Sequence, residues 1–284
     1  MRFGDVEKDN PDELEDINSA YAHAYGAELF YEEKPTINID ELHRRIRKYC
    51  GNVGVKDIDT KSETILFFHE DNCVQYEDGY TPAQFGIMTP PKEHDAKSDC
   101  LASLQQSWGW KDAAQVVEKC DHTILATDLM ASGLHYKKRV GLFRNSLRAL
   151  IEVAPCKAIH FKITQQFVDP EKYLYSFNHP SADHLYGMVN ARLFNIEGKD
   201  DVIMDTLGLA AIGLPDLQCH FQTLDVNKVA KFLYDYAYFI YEKGDIIEDG
   251  NTVPGISDDA EWKCRHEISL IHPKRLVIDI NPGR

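Results

Sequence analysis

Two aspartates in one apolar segment are the residues of this sequence that could carry acid–base chemistry. Asp205 and Asp216 lie in the segment 203–221, IMDTLGLAAIGLPDLQCHF, in which most side chains are apolar. If the strands brought them together with His220 and Arg192, these side chains could form a general acid–base group. The segment therefore offers an alternative polar site, in which the carboxylates would exchange protons with a substrate.

The other interpretation of the two aspartates is structural, and it is the one we favour. Asp205 with Thr206 would begin a turn, and Asp216 would cap a turn directly after Pro215. A buried carboxylate is costly unless it accepts hydrogen bonds, and backbone N–H groups at a turn can donate them. Glycines and a proline also disfavour a helix here. We therefore predict a strand, a glycine-containing turn and a second short strand.

A second polar group of the sequence has side chains that could ligate a metal. His179, Asp183 and His184 carry imidazole and carboxylate groups, which suit zinc or iron. Their spacing matches no standard helical pair, and Pro180 precludes a regular helix, so we interpret the segment as a polar linker. The sequence also lacks a GxSxG nucleophile turn and a phosphate-binding loop. We therefore predict no catalytic residue, no metal and no cofactor.

The net charge and the cysteine pattern limit the classes of protein to which this chain can belong. The formal net charge of −15 argues against sequence-independent binding to nucleic acid, and it permits a basic partner. The acidic residues concentrate in 1–40 and 242–261, whereas 136–148 is basic and is expected to form a solvated helix face. The seven cysteines form no CxxC pair, which indicates a reduced protein. Without a membrane-length apolar run or a signal pattern, we expect a cytoplasmic protein that binds no membrane.

Alternating strand and helix patterns predict the fold that must position these residues. They indicate an α+β protein with two sheet-plus-helix lobes, whose sheets are mixed or largely antiparallel. We expect an acidic N-terminal arm over 1–25, an N-terminal α+β lobe over 26–172 and a C-terminal α+β lobe over 185–284. The division is placed where the segment 173–185 breaks the periodicity.

Several individual elements can be assigned from local signals. Asn38 is predicted to cap a helix, and the most regular helix of the chain should begin after Asp225 and end at Gly244. A longer helical region is predicted over 96–119, with a break inside it. A strand is predicted over 156–167, where polar and apolar residues alternate.

Two segments of the C-terminal part carry a resemblance to a known family. YGMVNARLF and MDTLGLAAIGLPDLQCHF, followed by a helix and a late strand that ends in proline, resemble the bacterial family called domain of unknown function 4261. The preceding segments PAQFGIM, SWGW and DHTILATD resemble the region that usually accompanies it. The resemblance implies a bacterial intracellular α+β protein, with some relatives in toxin–immunity gene sets. It carries over no catalytic residue.

Three classes of function remain open. The first, which we favour, is an intracellular acidic binding protein, such as an immunity protein that neutralises a bacterial toxin by direct contact. The second is an enzyme of unrecognised class with its site near Asp205 and Asp216, and the third is a structural or regulatory scaffold. In the first class, acidic residues would steer a basic protein partner and aromatic residues would anchor it. The residues predicted for that interface are Trp108, Trp110, Trp262, Glu248, Asp249, Asp258 and Asp259.

Overall fold

Two compact units make up the described part of the protein, the first ending at Met188 and the second beginning at Val189. The structure is a computed structural model that describes residues 24–57, 64–77, 79–90, 97, 100–178, 184–257 and 259–283. The predicted arm over 1–25 lies almost entirely outside the described residues. His179 and Asp183 of the predicted metal group lie outside them as well, so that group is not placed.

The N-terminal unit is built on a seven-stranded sheet whose neighbouring strands all run antiparallel. Its strands are β1 (Gly26–Tyr31), β2 (Val53–Asp57), β3 (Thr64–Tyr76), β4 (Gly79–Met88), β5 (His122–Leu129), β6 (Ala158–Phe161) and β7 (Gln166–Val168). Their order across the sheet is β2-β3-β4-β5-β1-β6-β7. The helices of this unit are α1 (Ile39–Cys50), α2 (Leu101–Gln105), α3 (Ala113–Glu118), α4 (Tyr136–Val153) and α5 (Pro170–Tyr175).

The core of the N-terminal unit is aromatic and lies between the sheet and its long helices. Helix α4 packs on α1 and on β5. The ring centroids of Phe67 and Phe85 are 6.4 Å apart, and those of Phe85 and Phe143 are 6.2 Å apart. All three rings are at most 2% exposed. Helix α1 begins after Asn38 as predicted, because the Asn38 side chain accepts a hydrogen bond from the Glu41 N–H at 3.0 Å.

Two elements of this unit are shorter than predicted. The helical region expected over 96–119 contains the short helices α2 and α3, which are separated by turns around Gly109. The single strand expected over 156–167 is instead the hairpin of β6 and β7. The Thr164 hydroxyl donates to the carbonyl of Phe161 at 3.3 Å within this turn, and Gln165 adopts a φ of +52°. Alternation of polar and apolar residues does not reveal such a local turn.

Two arginines of the basic helix α4 are buried, contrary to the predicted solvated face, whereas Lys138 of the same helix is exposed. Arg139 is 4% exposed and pairs with the buried Asp128, to which its Nη2 donates at 3.2 Å. Arg144 is 3% exposed, donates to the Ser176 hydroxyl at 2.9 Å and lies 4.6 Å from the ring centroid of Phe177. These partners come from β5 and from the end of α5. The sequence of the helix alone therefore gives no sign of them.

The C-terminal unit is built on a six-stranded sheet covered by one long helix. Its strands are β8 (Asn190–Asn195), β9 (Val202–Leu207), β10 (Asp216–Phe221), β11 (Thr252–Pro254), β12 (Glu261–Ile268) and β13 (Leu276–Asn281). Their order is β11-β12-β13-β10-β9-β8, and neighbours run antiparallel except for the parallel pair β10 and β13. Helix α6 (Val226–Lys243) follows β10 in the chain and packs on β8, β9 and β10.

The helix and strand signals read from the sequence of this unit are confirmed, but Asp205 and Thr206 lie inside β9 and do not begin a turn as predicted, because both pair with β8 within the sheet. Asp225 caps α6 by accepting a hydrogen bond from the Lys228 N–H at 2.9 Å, and the helix ends at Gly244. The segment 203–221 forms the predicted strand, turn and second strand, here β9 and β10. Two largely antiparallel sheets, each carrying helices, confirm the predicted α+β class.

Candidate functional site

A row of polar side chains crosses the sheet of the C-terminal unit. Arg192 of β8 lies directly opposite Asp205 of β9, and Asp205 lies opposite Gln218 of β10. Directly opposed residues of antiparallel strands project from the same face, so the register brings these side chains together. Arg192 donates from Nε and Nη2 to the two carboxylate oxygens of Asp205, at 2.9 and 2.6 Å. This two-pronged geometry is that of a strong charge-assisted pair.

Arg275 joins this pair to the second aspartate. It lies directly before β13, where its Nη2 donates to Asp205 Oδ2 at 2.7 Å and its Nε donates to Asp216 Oδ2 at 3.0 Å. Its Nη1 donates to the carbonyl of Pro273 at 2.8 Å, which fixes the loop that precedes β13. Sequence reasoning missed Arg275 because it lies 59 residues from Asp216 and no spacing signal links them.

Asp216 closes the turn between β9 and β10. Its carboxylate accepts hydrogen bonds from the backbone N–H groups of residues 208–210 at 3.1–3.3 Å. It also accepts one from the Thr206 hydroxyl at 3.0 Å, and that hydroxyl in turn accepts from the Leu217 N–H at 2.8 Å. Gly208 has a φ of +146°, which glycine adopts far more readily than other residues. These are the contacts of a carboxylate that holds a turn.

The described residues shield this network of charged side chains from water. Arg192, Asp205, Asp216 and Arg275 are each at most 1% exposed. Burial raises the pKa of the Asp216 carboxyl, and the Arg275 guanidinium and the turn N–H groups oppose that effect. Donors already face both oxygens of each carboxylate. The arrangement is therefore suited to hold two loops against the sheet.

His220 is not part of this network, although the sequence grouped it with the two aspartates. Its Nε2 lies 3.1 Å from Asp201 Oδ2, and about a fifth of each side chain is exposed. The pair lines a cavity of about 210 Å³ together with Thr223 and Pro282. The described structure therefore brings Arg192, Asp205 and Asp216 together and places His220 elsewhere.

The acidic segment 242–261 joins the sheet through β11, and the loop before β11 is also attached to β12 by one histidine. His266 of β12 lies between two carboxylates, with Nδ1 at 2.9 Å from Asp249 Oδ1 and Nε2 at 3.2 Å from Asp245 Oδ1. Its backbone N–H also donates to Asp249 Oδ1 at 2.7 Å. These contacts raise the pKa of His266, chiefly through Asp245, and lower the pKa of Asp249. Asp249, one of the predicted interface residues, therefore has a partner within its own unit.

Other carboxylates of the segment point into solvent. Glu248, Asp259 and Glu261 are exposed, and Asp258 lies outside the described residues. Lys243 is the only basic residue in the sequence of this segment. The segment therefore gives the C-terminal unit a locally acidic surface.

An apolar groove lies beside this acidic surface, between α6 and β11. It has a volume of about 460 Å³, and its walls include Tyr236 and Phe239 of α6, Ile246 of the following loop, and Val253 and Pro254 of β11. Phe239 is 38% exposed and Ile246 is 56% exposed, which is high for side chains of this size. Sequence reasoning missed the groove because its walls come from three separate elements.

The three tryptophans predicted as anchors lie in different environments. Trp262 is 3% exposed and packs on Phe232 of α6, with 4.7 Å between the two ring centroids. It therefore belongs to the core of the C-terminal unit. In the N-terminal unit, Trp110 is half-buried against a small core between the sheet and helices α2 and α3, whereas Trp108 is 38% exposed. Of these rings, Trp108 is the one that presents substantial apolar surface to solvent.

The described residues contain neither a metal-binding cluster nor a membrane-spanning helix. Among them, no group of three or more His, Cys, Asp or Glu side chains is arranged to hold a metal ion. Within the same part of the chain, no helix has the length and apolar character that crossing a membrane requires.

Comparison with known proteins bears on the C-terminal part of the chain. No curated protein and no solved structure matches the chain. A family model does match, and the matched segment contains Asp205, Asp216 and Arg275 but not Arg192. Residues 205–281 match the family described as Domain of unknown function (DUF4261), which confirms the resemblance expected from the sequence.

Proposed function

We propose that this protein is an acidic binding protein that neutralises a basic protein partner by direct contact, as an immunity protein neutralises a bacterial toxin. The observation that carries this proposal is the position of exposed carboxylates directly beside an open apolar groove on one unit. Glu248 and Asp259 supply the negative surface, and Phe239 and Ile246 supply the apolar surface.

The two surfaces would act on different steps of association. Exposed carboxylates attract a basic partner from a distance, which raises the association rate and makes it sensitive to salt over a Debye length of about 8–10 Å. Apolar side chains that lose water in the complex slow dissociation instead. An acidic rim beside an apolar floor therefore favours fast capture and slow release of a basic partner.

The enzyme alternative near Asp205 and Asp216 receives less support from the geometry. Both carboxylates are enclosed and face donors of their own unit. A general base needs an oxygen or nitrogen within hydrogen-bond reach of the substrate proton. Without such access, these aspartates are better explained as supports of the loops on which a binding surface depends.

The test is a kinetic measurement on the partner captured from the native host with the full chain. Reversing the charge of Glu248, Asp259 and Glu261 together should slow association several-fold and flatten its dependence on salt. Dissociation should barely change, because these side chains are exposed.

The matched control reverses the same number of exposed carboxylates on the N-terminal unit, namely Glu33, Asp112 and Glu118. It gives the chain the same net charge, so a rate that falls equally in both variants reflects total charge and not this surface. The proposal would be overturned if the association rate changed neither with salt nor on reversal of Glu248, Asp259 and Glu261.

A further inference from the structure

We propose that the groove between α6 and β11 is the seat for a bulky apolar side chain that a basic segment of the partner presents. This inference rests on the proposed function and adds the place and the chemistry of the contact. The groove volume of about 460 Å³ lies within the range of about 300–1,000 Å³ in which proteins enclose ligand groups. It is thus large enough for an aromatic or branched side chain.

The floor and walls of the groove are rigid enough to receive such a group without rearrangement. Val253 and Ile247 are each 7% exposed and belong to the packed part of the unit. The loop that carries Ile246 is fixed to β12 on both sides, because His266 contacts Asp245 before it and Asp249 after it. A preformed site avoids the entropy cost of ordering a loop at the moment of binding.

The edge of the sheet beside the groove is closed to an added strand. β11 is an outer strand of three residues, and Pro254 within it has no N–H to donate. The Pro254 carbonyl already accepts a hydrogen bond from the Tyr236 hydroxyl at 3.4 Å. An occupant therefore has little backbone to pair with and must bind mainly through its side chains.

The charge around the groove decides which occupant is favoured. Asp235 lies in its wall and pairs with the exposed Lys231. Glu248 belongs to the adjoining loop, together with Asp245 and Asp249, which share the single histidine His266. Lysines or arginines on either side of the inserted group would complement this rim. A second copy of the chain, with its own net charge of −15, would be repelled, and so would an anionic membrane surface. A basic protein segment is the occupant to which these charges point.

The inference is tested with a display library of random 12-residue peptides selected on the full chain at low salt. We expect the enriched peptides to be basic and to share one bulky apolar position. Their dissociation from the variant Ile246→Ser should be faster by about tenfold or more, because a buried anchor carries much of the binding energy. Leu270→Ser is the matched control, since Leu270 is an exposed aliphatic side chain of the same unit outside the groove.

The outcomes separate this inference from the proposal on which it rests. Suppose that the enriched peptides are basic and associate more slowly when Glu248, Asp259 and Glu261 are reversed, but dissociate at the same rate from Ile246→Ser. The groove would then not be the binding site, whereas the proposal of an acidic binding protein would still be supported. Enriched peptides that are not basic would overturn both. Concentration-dependent dimers of the chain that Ile246→Ser abolishes, seen by sedimentation, would show that a second copy occupies the groove and would also overturn the inference.

Discussion

Replacing Asp216 with asparagine should destabilise the C-terminal unit, because the amide cannot satisfy the donors that surround the carboxylate. One oxygen of Asp216 faces Arg275 Nε together with the N–H groups of Gly208 and Ala210. The other faces the Leu209 N–H and a hydroxyl. Asparagine has one oxygen and one NH₂ group, so its NH₂ must be placed against one of these sets of donors.

The size of the stability loss is set by the less costly of the two orientations that the asparagine amide can adopt. With the amide oxygen toward Arg275, the NH₂ group faces the Leu209 N–H, and the Thr206 hydroxyl can turn its proton away and accept. A buried donor left without a partner costs about 1–3 kcal/mol, and breaking a buried ion pair costs about 3–5 kcal/mol. Arg275 keeps Asp205 as a counter-charge at 2.7 Å, so the lower part of that range applies. We expect the free energy of unfolding to fall by about 3 kcal/mol.

Urea denaturation can measure this loss on the C-terminal unit alone. The chain has three tryptophans, and Trp262 is the one within that unit. In a background with Trp108→Phe and Trp110→Phe, tryptophan fluorescence therefore reports the unfolding of the C-terminal unit. A loss of about 3 kcal/mol should lower the transition midpoint by about 1 M urea or more. Asp259→Asn, which removes an exposed carboxylate of the same unit, should leave the midpoint unchanged.

Two results would refute this reasoning. If Asp216→Asn shifted the midpoint no more than Asp259→Asn, the carboxylate would not be holding the turn. If the variant were fully folded at the assay temperature and yet failed to bind the partner, Asp216 would be acting on function directly. That result would support the interpretation of this site as an enzyme site.

Three further perturbations test the packing and the titrating groups. Leu233→Ala should cost about 2–5 kcal/mol in thermal or urea unfolding, because Leu233 is fully buried in α6, whereas Asp235→Ala on its exposed face should be nearly neutral. Burial lowers the pKa of His69 to about 4, so the folded N-terminal unit binds fewer protons than the unfolded chain between about pH 6.5 and 4. Its stability should therefore fall by up to about 3 kcal/mol as the pH drops through that window, and His69→Gln should remove this part of the pH dependence in urea titrations. The pKa of His266 is raised by Asp245 and Asp249, so its contribution should be complete below the pKa of an unfolded histidine and lost as the pH rises through the higher folded value. Proteolysis of the Asp245–Asp249 loop should accelerate over that rise, and the variant His266→Asn should be cut quickly at every pH.

Local signals in the sequence were sufficient to predict the start of α1, both ends of α6 and the α+β class. Caps such as Asn38 and Asp225 act through hydrogen bonds to residues two or three positions away, so a short segment contains both partners. The β9–turn–β10 segment is predictable for the same reason, because the glycines and Pro215 lie within the turn itself. By contrast, the hairpin of β6 and β7 depends on a turn whose residues look like an ordinary strand.

Burial of charge could not be read from the sequence, because it depends on partners that are distant in the chain. Arg139 pairs with Asp128 of a neighbouring strand, and Arg275 reaches Asp205 across 70 residues. Each arginine looks like a surface residue until its partner is known. The groove between α6 and β11 was missed for the same reason, since its apolar side chains are scattered over three elements that only the fold brings together.

The contacts of Asp205 also set the physical boundary of the C-terminal unit. The family match begins at Asp205, yet the strongest partner of that carboxylate is Arg192 on β8, which lies before the matched segment. A unit that began at residue 205 would lose β8 and would leave Asp205 with Arg275 as its guanidinium partner. It would also expose the β9 edge, whose backbone pairs with β8 along its whole length. The loops that the network holds therefore require the chain from Val189 onward, and the groove and the acidic surface are best treated as parts of that larger unit.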